Sequence, residues 1–222
     1  ALKNSNLITD FGFTKGYKNS SNTKKKGNKS HFFTKFNKDF FGKNNSQNTL
    51  NLTAQHVSDD KYLKLYKIKS NIVDYNNDTL ENSLSFTHEN EDLFFGVNAN
   101  IYETLKDDYN DKYEYILPEI TIDKNLTNNR KFGDLDLQTN LKVHNYDTNK
   151  QNSFFVNDIN WRSNNIISKF GFNSNILGNV KNINYDSKND STYKDETTNE
   201  LFGTLGYLSE LNLRKTHGLN KH

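Results

Sequence analysis

The chain has 222 residues, of which 32% are hydrophobic, and its mean hydropathy is −0.95. Soluble globular domains usually have roughly 45–50% apolar residues, so a two-layer domain of this length would be short of core side chains. Leu, Ile, Val and Phe still form roughly a quarter of the chain, above the ~20% typical of disorder, and the net charge is only +2. Composition therefore favours a folded chain with little internal core.

Several protein classes are disfavoured by simple features of the sequence. The absence of Cys excludes disulfides and thiolate metal sites within these residues. No apolar run approaches the ~18 residues of a membrane-spanning helix. No signal peptide is visible in residues 1–10, and a strand-like pattern begins at Leu7. These two features predict a fragment of a longer exported protein.

The first half of the chain is predicted to contain five strands, because apolar and polar side chains alternate and successive side chains of a strand point to opposite faces. These strands are predicted at residues 7–17, 31–41, 48–56, 80–88 and 93–105. Residues 19–29 are rich in Ser, Asn and Lys and predict a loop. Residues 57–77 lack alternation and predict a long structured loop, with a helical turn at 61–65.

The second half is predicted to contain five more strands, so that the whole chain has about ten. They follow a charged loop at 106–112 and are predicted at residues 113–126, 132–146, 152–162, 166–178 and 200–214. A polar loop is expected at 179–199 and a polar tail at 216–222. Pro118 lies inside the first of these strands, where proline is expected only at an edge or a bulge because it donates no ladder hydrogen bond.

The clearest alternation runs from residue 133 to 145, with apolar side chains at odd positions and polar ones at even positions. It is at least as long as the ~9–11 residues with which a tilted strand crosses a bilayer. No helical segments alternate with the strands, which argues against a parallel sheet. The sequence therefore predicts an all-β fold, an antiparallel meander that forms part of a transmembrane β-barrel wall.

Alternation on the strands at 93–105 and 132–146 assigns side chains to two faces. The side chains predicted to face lipid are Leu93, Phe95, Val97, Leu135, Leu137, Leu141 and Val143. The side chains predicted to face a wet lumen are Asn98, Asn100, Tyr102, Asp134, Asp136, Gln138, Asn140 and Lys142. Aromatic residues near strand ends fit an interfacial girdle: Tyr17, Phe40, Phe41, Tyr102, Tyr113, Tyr115, Tyr146, Phe154 and Trp161.

Residues that could carry catalysis or bind metal do not form a recognisable pattern. The six His are scattered, and the acidic pairs at 59–60 and 107–108 lie in predicted loops. No phosphate-binding loop, nucleophile elbow or zinc-binding helix motif is present. Acidic residues (27) nearly balance basic ones (29), which argues against nucleic acid. We expect a protein that is not an enzyme and has no metal or cofactor; the lysines at 24–29 predict a solvated loop, with anionic lipid head groups as the alternative.

Five segments resemble the lipopolysaccharide-assembly outer-membrane protein family, LptD, also called the organic solvent tolerance protein family. Residues 55–66 read QHVSDDKYLKLY and resemble its "v-S-D-x-x-Y" stretch, and residues 113–120 read YEYILPEI and resemble its "Y-x-x-L-P-x-I" strand. Residues 133–146 and 157–162 are similar to the strands that follow in the family. Residues 205–214 are similar to its "S-E-L-P-L" segment, with Asn212 in place of the proline.

The resemblance implies a barrel in the bacterial outer membrane that receives lipopolysaccharide and releases it to the outer leaflet through a lateral opening. It implies four partners: lipopolysaccharide, membrane lipid, a plug lipoprotein (LptE-like) in the lumen, and a periplasmic bridge that docks on an N-terminal jelly-roll domain. That domain would precede Ala1, and the closing strands of the barrel would follow His222. The cysteines that some members pair between those regions would also lie outside this chain.

The residues alone leave other interpretations open. Another outer-membrane barrel, such as a porin or receptor, would show the same strands. A soluble, secreted β-rich binding protein would show alternation without an apolar belt. An enzyme on a β scaffold has no motif in its favour.

Overall fold

The computed structural model describes residues 4–16, 27–43, 45–106, 109, 111–129, 131–147 and 149–213. These residues form one antiparallel sheet of eleven strands, ordered β1-β2-β3-β4-β5-β6-β7-β8-β10-β11, in which the short β9 pairs with β10. The strands are β1 (Ser5–Thr14), β2 (Lys29–Phe41), β3 (Gln47–Val57), β4 (Thr79–Glu89), β5 (Leu93–Thr104), β6 (Tyr113–Asn129), β7 (Gly133–Tyr146), β8 (Lys150–Arg162), β9 (Ile166–Ile167), β10 (Phe172–Lys188) and β11 (Thr198–Leu211). The prediction of an all-β antiparallel meander is confirmed.

The sheet is open: β1 and β11 are its two edges and do not pair with each other. The described part of the chain has one helix, α1 (Tyr62–Tyr66), in the connection between β3 and β4. The predicted helical turn at 61–65 is displaced from it by one residue. In this same part of the chain, no helix is both long and apolar enough to span a membrane.

Most predicted strand boundaries lie within three residues of those in the structure. Strong alternation explains the close agreement at β5, predicted at 93–105, and β7, predicted at 132–146. β6 continues three residues beyond its predicted end at 126, as far as Asn129. The predicted end of the first strand at 17 and of the last at 214 lie outside the described residues, and β1 ends at Thr14 and β11 at Leu211.

The ninth predicted strand, at 166–178, differs most from the structure. The long strand there is β10, which begins at Phe172 and continues to Lys188. The predicted polar loop at 179–199 was therefore wrong for its first half. The apolar positions change from even-numbered (Ile176 and Val180) to odd-numbered (Ile183 and Tyr185), so the alternation does not continue from one part to the next, but the backbone of this segment pairs with both β8 and β11.

Pro118 lies at a bulge, one of the positions expected for it. The register of β6 shifts between Ile116 and Glu119 against both β5 and β7. A second shift against β7 lies between Asn125 and Thr127. Each bulge adds an unpaired residue and so moves the alternation of β6 by one position.

Most connections at one end of the sheet are shorter than most of those at the other end. At one end they are residues 42–46, 90–92, 130–132 and 163–171; we call this the short-turn end. At the other, the loop end, they are residues 15–28, 58–78, 105–112, 147–149 and 189–197. Bacterial outer-membrane barrels show the same asymmetry, with short periplasmic turns and longer extracellular loops.

Adjacent strands are staggered in one direction. A row of directly paired residues crosses the sheet as Asn6, Asn37, Asn51, Ser85, Asn98, Glu119, Lys142, Phe154, Tyr185 and Thr198. Asn6 is next to the short-turn end of β1, whereas Thr198 begins β11 at the loop end. Strand ends thus shift by about one residue per strand, which at ~3.3 Å per residue and ~4.8 Å between strands is a tilt of roughly 35°. Strands of closed barrels tilt by about 35–45°.

The buried apolar cluster is small and lies at the loop end. It consists of Phe33, Val57, Tyr62, Leu63, Val73, Leu80 and Leu105. Four of these belong to strands or strand ends, and Tyr62, Leu63 and Val73 come from the connection 58–78. Elsewhere the sheet is a single layer, and among the described residues only the connection at 189–197 covers a further part of it, near the loop end.

Candidate functional site

The two predicted sets of side chains lie on opposite faces of the sheet. Directly paired residues share a face, and Asn98 pairs with Glu119, which pairs with Lys142. The eight residues predicted to face the lumen therefore lie on one surface, which we call the polar face. Val97 pairs with Ile120 and Ile120 with Leu141, so the seven residues predicted to face lipid lie together on the other surface, the apolar face. Whether these faces meet water and lipid stays a prediction.

An unbroken apolar row crosses six strands, from β3 to β8. Its members are Leu50, Phe86, Val97, Ile120, Leu141 and Phe155. Large apolar side chains remain accessible in the middle of the strands, since Leu84 is 50% exposed and Phe155 is 42% exposed. Soluble monomers rarely expose a contiguous apolar patch larger than a few hundred Å². This face therefore lacks a cover.

The apolar side chains follow the stagger of the strand ends. In β1, Leu7, Phe11 and Phe13 all lie on the loop-end side of the row from Asn6 to Thr198. In β11, Leu201, Leu205 and Tyr207 all lie on its short-turn side. In β5 and β7 they lie on both sides of the row. The apolar side chains thus extend along the strands and share the stagger of the strand ends.

Two lysines lie among the apolar side chains of this face. Lys38 pairs with Leu50, and Lys124 lies between Leu93 and Leu137. Both are nearer the short-turn end than the loop end of their strands. A lysine can lay its alkyl stem along an apolar surface and extend its ammonium group to a nearby aqueous boundary, so these positions are compatible with an apolar belt.

Hydrogen bonds link the polar face across the strands. The amide of Asn37 donates to Asn51 at 2.7 Å, and the amide of Asn51 donates to Ser85 at 3.1 Å. Farther along, Asn125 donates to Asp136 at 2.9 Å, and His144 lies 2.7 Å from Glu114. Because the partners are mostly uncharged amides and hydroxyls, much of this face presents hydrogen-bonding groups without a strong field of one sign.

A groove of about 550 Å³ lies on the polar face of β1–β5. Its polar lining includes Asn37, Asn51, Ser83, Asn98 and Asn100. Two of the residues predicted to face the lumen, Asn98 and Asn100, thus line a cavity together with residues that the sequence did not single out. The place of Asn37 and Asn51 in this groove could have been found only from the strand register, because β2 and β3 have weaker alternation.

The predicted aromatic girdle is divided by the structure. Tyr113 and Tyr115 lie on the apolar face near the loop end, with ring centroids 6.1 Å apart. Trp161 lies on the apolar face near the short-turn end. Tyr102, Tyr146 and Phe154 belong to the polar face, so they cannot be part of an outer girdle. Phe40 is on the apolar face and Phe41 on the polar face, and Tyr17 lies outside the described residues.

Ion pairs concentrate at the loop end. Lys112 lies 3.0 Å from both Glu103 and Asp60, and these hydrogen bonds raise the pKa of its ammonium group well above the usual range. Lys64 pairs with Asp78 and lowers the pKa of that carboxyl. Asp190 accepts hydrogen bonds from Asn152 and Tyr146, which lower its pKa. The carboxylates of Asp60, Asp78 and Asp190 are therefore all engaged within the protein.

The same end carries residues that the sequence analysis did not assign. The connection at 189–197 folds back over the polar face, where Tyr193 packs edge-on against Phe154 at 5.4 Å. The connection at 58–78 places Tyr62 beside His31 of β2, with ring centroids 5.6 Å apart. Neither contact has a local sequence signal, because each joins a loop to a strand that only the register brings close.

No group of three or more His, Cys, Asp or Glu that could hold a metal ion is found among the described residues. No protein-family model matches the chain, and no curated protein matches it. The resemblance to LptD therefore depends on the sequence motifs alone and stays a prediction.

Proposed function

We propose that the chain forms part of the wall of a bacterial outer-membrane β-barrel, and that this barrel assembles lipopolysaccharide into the outer leaflet. The membrane part of the proposal is carried by one observation: an unbroken apolar row crosses six strands on a face that the described residues leave uncovered. Lipid suits such a face, because soluble monomers rarely expose a contiguous apolar patch larger than a few hundred Å², whereas the wall of a membrane barrel presents one to the bilayer.

The polar face supplies the second half of the proposal. Its amide and hydroxyl groups suit the sugars of a glycolipid head group, and the ammonium groups of Lys35 and Lys142 suit its phosphates. The apolar face would then meet acyl chains. The loop end would face the cell exterior, because barrels carry their longer connections there.

The partners follow from the resemblance to LptD. Lipopolysaccharide would pass along the polar face, a plug lipoprotein would occupy the lumen, and membrane lipid would cover the apolar face. Components of a periplasmic bridge would deliver the cargo through an N-terminal domain. This role requires no catalytic residue in the sheet.

A pair of neighbouring substitutions on β7 tests the membrane assignment. Leu141 belongs to the apolar row and Asn140 to the polar face, at the same depth of the same strand. A midplane arginine on the lipid face costs about 2–4 kcal/mol. We expect Leu141→Arg to abolish insertion of the 222-residue chain into liposomes, measured by flotation, and Asn140→Arg to insert like the wild type. Equal insertion of both variants would contradict the face assignment.

The cargo is tested by crosslinking. A photoreactive amino acid at Asn51, on the polar face, should crosslink to purified lipopolysaccharide, whereas the same group at Leu50, on the apolar face, should crosslink to phospholipid. If the group at Asn51 captures neutral polymers such as dextran as well as lipopolysaccharide, the chain belongs to a general pore and the assembly role fails.

A further inference from the structure

We propose that the β3–β4 connection, residues 58–78, is a cap that docks on the polar face of β2 and β3 and closes the loop end of the groove there. Solutes would then reach this part of the face from the loop end only when the cap undocks. The proposal goes beyond the barrel assignment and depends on it only for the statement that the polar face meets water.

The centre of the cap belongs to the buried apolar cluster. Phe33 lies on the polar face, where it pairs with Gln55, yet it is 0% exposed. Its cover comes from the cap, whose Tyr62 and Leu63 are each 1% exposed and belong to the same cluster as Phe33. An aromatic side chain on an otherwise polar surface is stable because the cap removes it from water.

Polar contacts of Tyr62 fix the cap on the first two strands. The hydroxyl of Tyr62 lies 3.3 Å from Nδ1 of His31 on β2 and 3.4 Å from the hydroxyl of Thr14 on β1. The ring of His31 in turn stacks on Phe33, with centroids 4.6 Å apart. Tyr62 is therefore the residue through which the cap recognises its docking surface.

Ion pairs hold the cap at both sides. Asp59 pairs with Lys29 at the start of β2, and Asp60 lies 3.0 Å from Lys112, which precedes β6. The cap thus extends across the loop end from β2 to β6. Asp60 and Lys112 are both more than a third exposed, so their contact is screened by salt and can open without exposing a buried charge.

The strands beneath the cap are already separated. The ladder between β3 and β4 ends at the pair of Thr53 and Ser83. Beyond it, the backbone N–H of Gln55 donates to the side chain of Asn82 at 2.8 Å, and the N–H of Glu81 donates to the side chain of Gln55 at 2.9 Å. Undocking the cap therefore breaks no backbone ladder bond between these strands, which separates its opening from unfolding of the sheet.

Cysteine labelling tests the cap, because the chain has no native Cys. Gln55 and Asn51 lie on the polar face of the same strand; Gln55 is 8% exposed and pairs with the covered Phe33, whereas Asn51 lines the open groove. We expect Gln55→Cys to react with a water-soluble maleimide about tenfold more slowly than Asn51→Cys, since it must wait for local opening. Adding Tyr62→Ala should remove most of this difference and leave the rate at Asn51→Cys unchanged.

A conservative variant completes the test. Tyr62→Phe keeps the buried ring and should retain slow labelling of Gln55→Cys, with a smaller change than Tyr62→Ala. Equal labelling at the two positions in the otherwise native chain would overturn the proposal. The proposal would also fail if Tyr62→Ala did not speed the labelling of Gln55→Cys. An equally large increase in the labelling rate of Asn51→Cys would overturn it too, because the connection would then support the whole sheet. The flotation experiment does not depend on these rates, so the two proposals can fail separately.

Discussion

The indole nitrogen of Trp161 donates a 2.6 Å hydrogen bond to the backbone carbonyl of Phe132, across the short-turn end of the sheet. Trp161 is the penultimate residue of β8 and lies on the apolar face, paired with Leu135 and Gly178. Its polar nitrogen is thus directed to the turn between β6 and β7, while its ring lies beside apolar side chains. Tryptophans at the boundary between lipid and water combine the same two properties.

This position predicts a fluorescence result, because Trp161 is the only tryptophan of the chain. In liposomes, lipids brominated close to the head group should quench its emission more strongly than lipids brominated near the end of the acyl chain. The double variant Trp161→Phe, Leu141→Trp moves the fluorophore to the middle of the apolar row and should reverse that order. Emission that neither lipid quenches would contradict the proposed membrane location.

A second prediction concerns Gly133, the first residue of β7. Its φ is +87°, and an added Cβ would lie 2.0 Å from the carbonyl oxygen of Arg162. Both the backbone conformation and the close approach exclude a side chain here. We expect Gly133→Ala to lower the free energy of unfolding by about 2 kcal/mol or more, measured by urea denaturation in detergent.

Gly203 of β11 provides the matched control for this substitution. An added Cβ there would meet its nearest atom, the carbonyl oxygen of Asn179, at 4.0 Å. Gly203→Ala should therefore be neutral or slightly stabilising, because alanine restricts the unfolded chain more than glycine does. A similar loss of stability in both variants would show that the turn at Gly133 has no special requirement.

The third prediction concerns Lys112 and Glu103. The carboxylate of Glu103 is 8% exposed, and Lys112 is its charged partner. Lys112→Gln should cost about 1–2 kcal/mol, since it leaves a nearly buried carboxylate without its cation, although solvent screens the half-exposed lysine. The double variant Lys112→Gln, Glu103→Gln should recover most of this loss in a thermal unfolding assay. Additive losses would show that the pair is not coupled.

The pH dependence of this pair follows from the direction of the pKa shift. Glu103 and Asp60 raise the pKa of Lys112 above its unfolded value of ~10.4. Its contribution to stability is therefore fully present below that value and is lost only as the pH rises through the higher folded pKa. Between pH 7 and about pH 10 the difference between wild type and Lys112→Gln should stay constant.

The sequence predicted the fold well where alternation is strong and poorly where pairing partners determine the structure. β7 has four apolar side chains on one face and could be placed almost to the residue. β10 was misplaced because Asn182 and Asn184 lie on its apolar face. They are closer to the loop end than the apolar side chains of this strand, at a level where polar residues are tolerated. The same reasoning placed the two sets of side chains on opposite surfaces, since β5 and β7 contain no bulge and parity within each of them decides the face.

The cap could not have been predicted in this way. Residues 58–78 show neither the two-residue period of a strand nor the 3.6-residue period of a helix, so the sequence indicated only a structured loop with a helical turn. The burial of Phe33 and His31 depends on Tyr62, which lies about 30 residues away along the chain. Contacts of this kind follow from which loop lies over which strand, and no local pattern in β2 or in the loop specifies that.

The two bulges divide β6 into three segments, and the residues that lie on the apolar face change between odd and even numbers from each segment to the next. Before Leu117, odd-numbered side chains such as Tyr115 lie on the apolar face; after Pro118 even-numbered ones such as Ile122 do, and beyond Leu126 the odd ones do again. Deleting one residue of the first bulge, Leu117 or Pro118, would therefore restore regular pairing and leave Tyr113 and Tyr115 on the apolar face, whereas deleting both would rotate them to the opposite surface. In this strand, the loss of a single residue at a bulge is tolerable because it reverses no face, and natural variation in its length should occur at the two bulges.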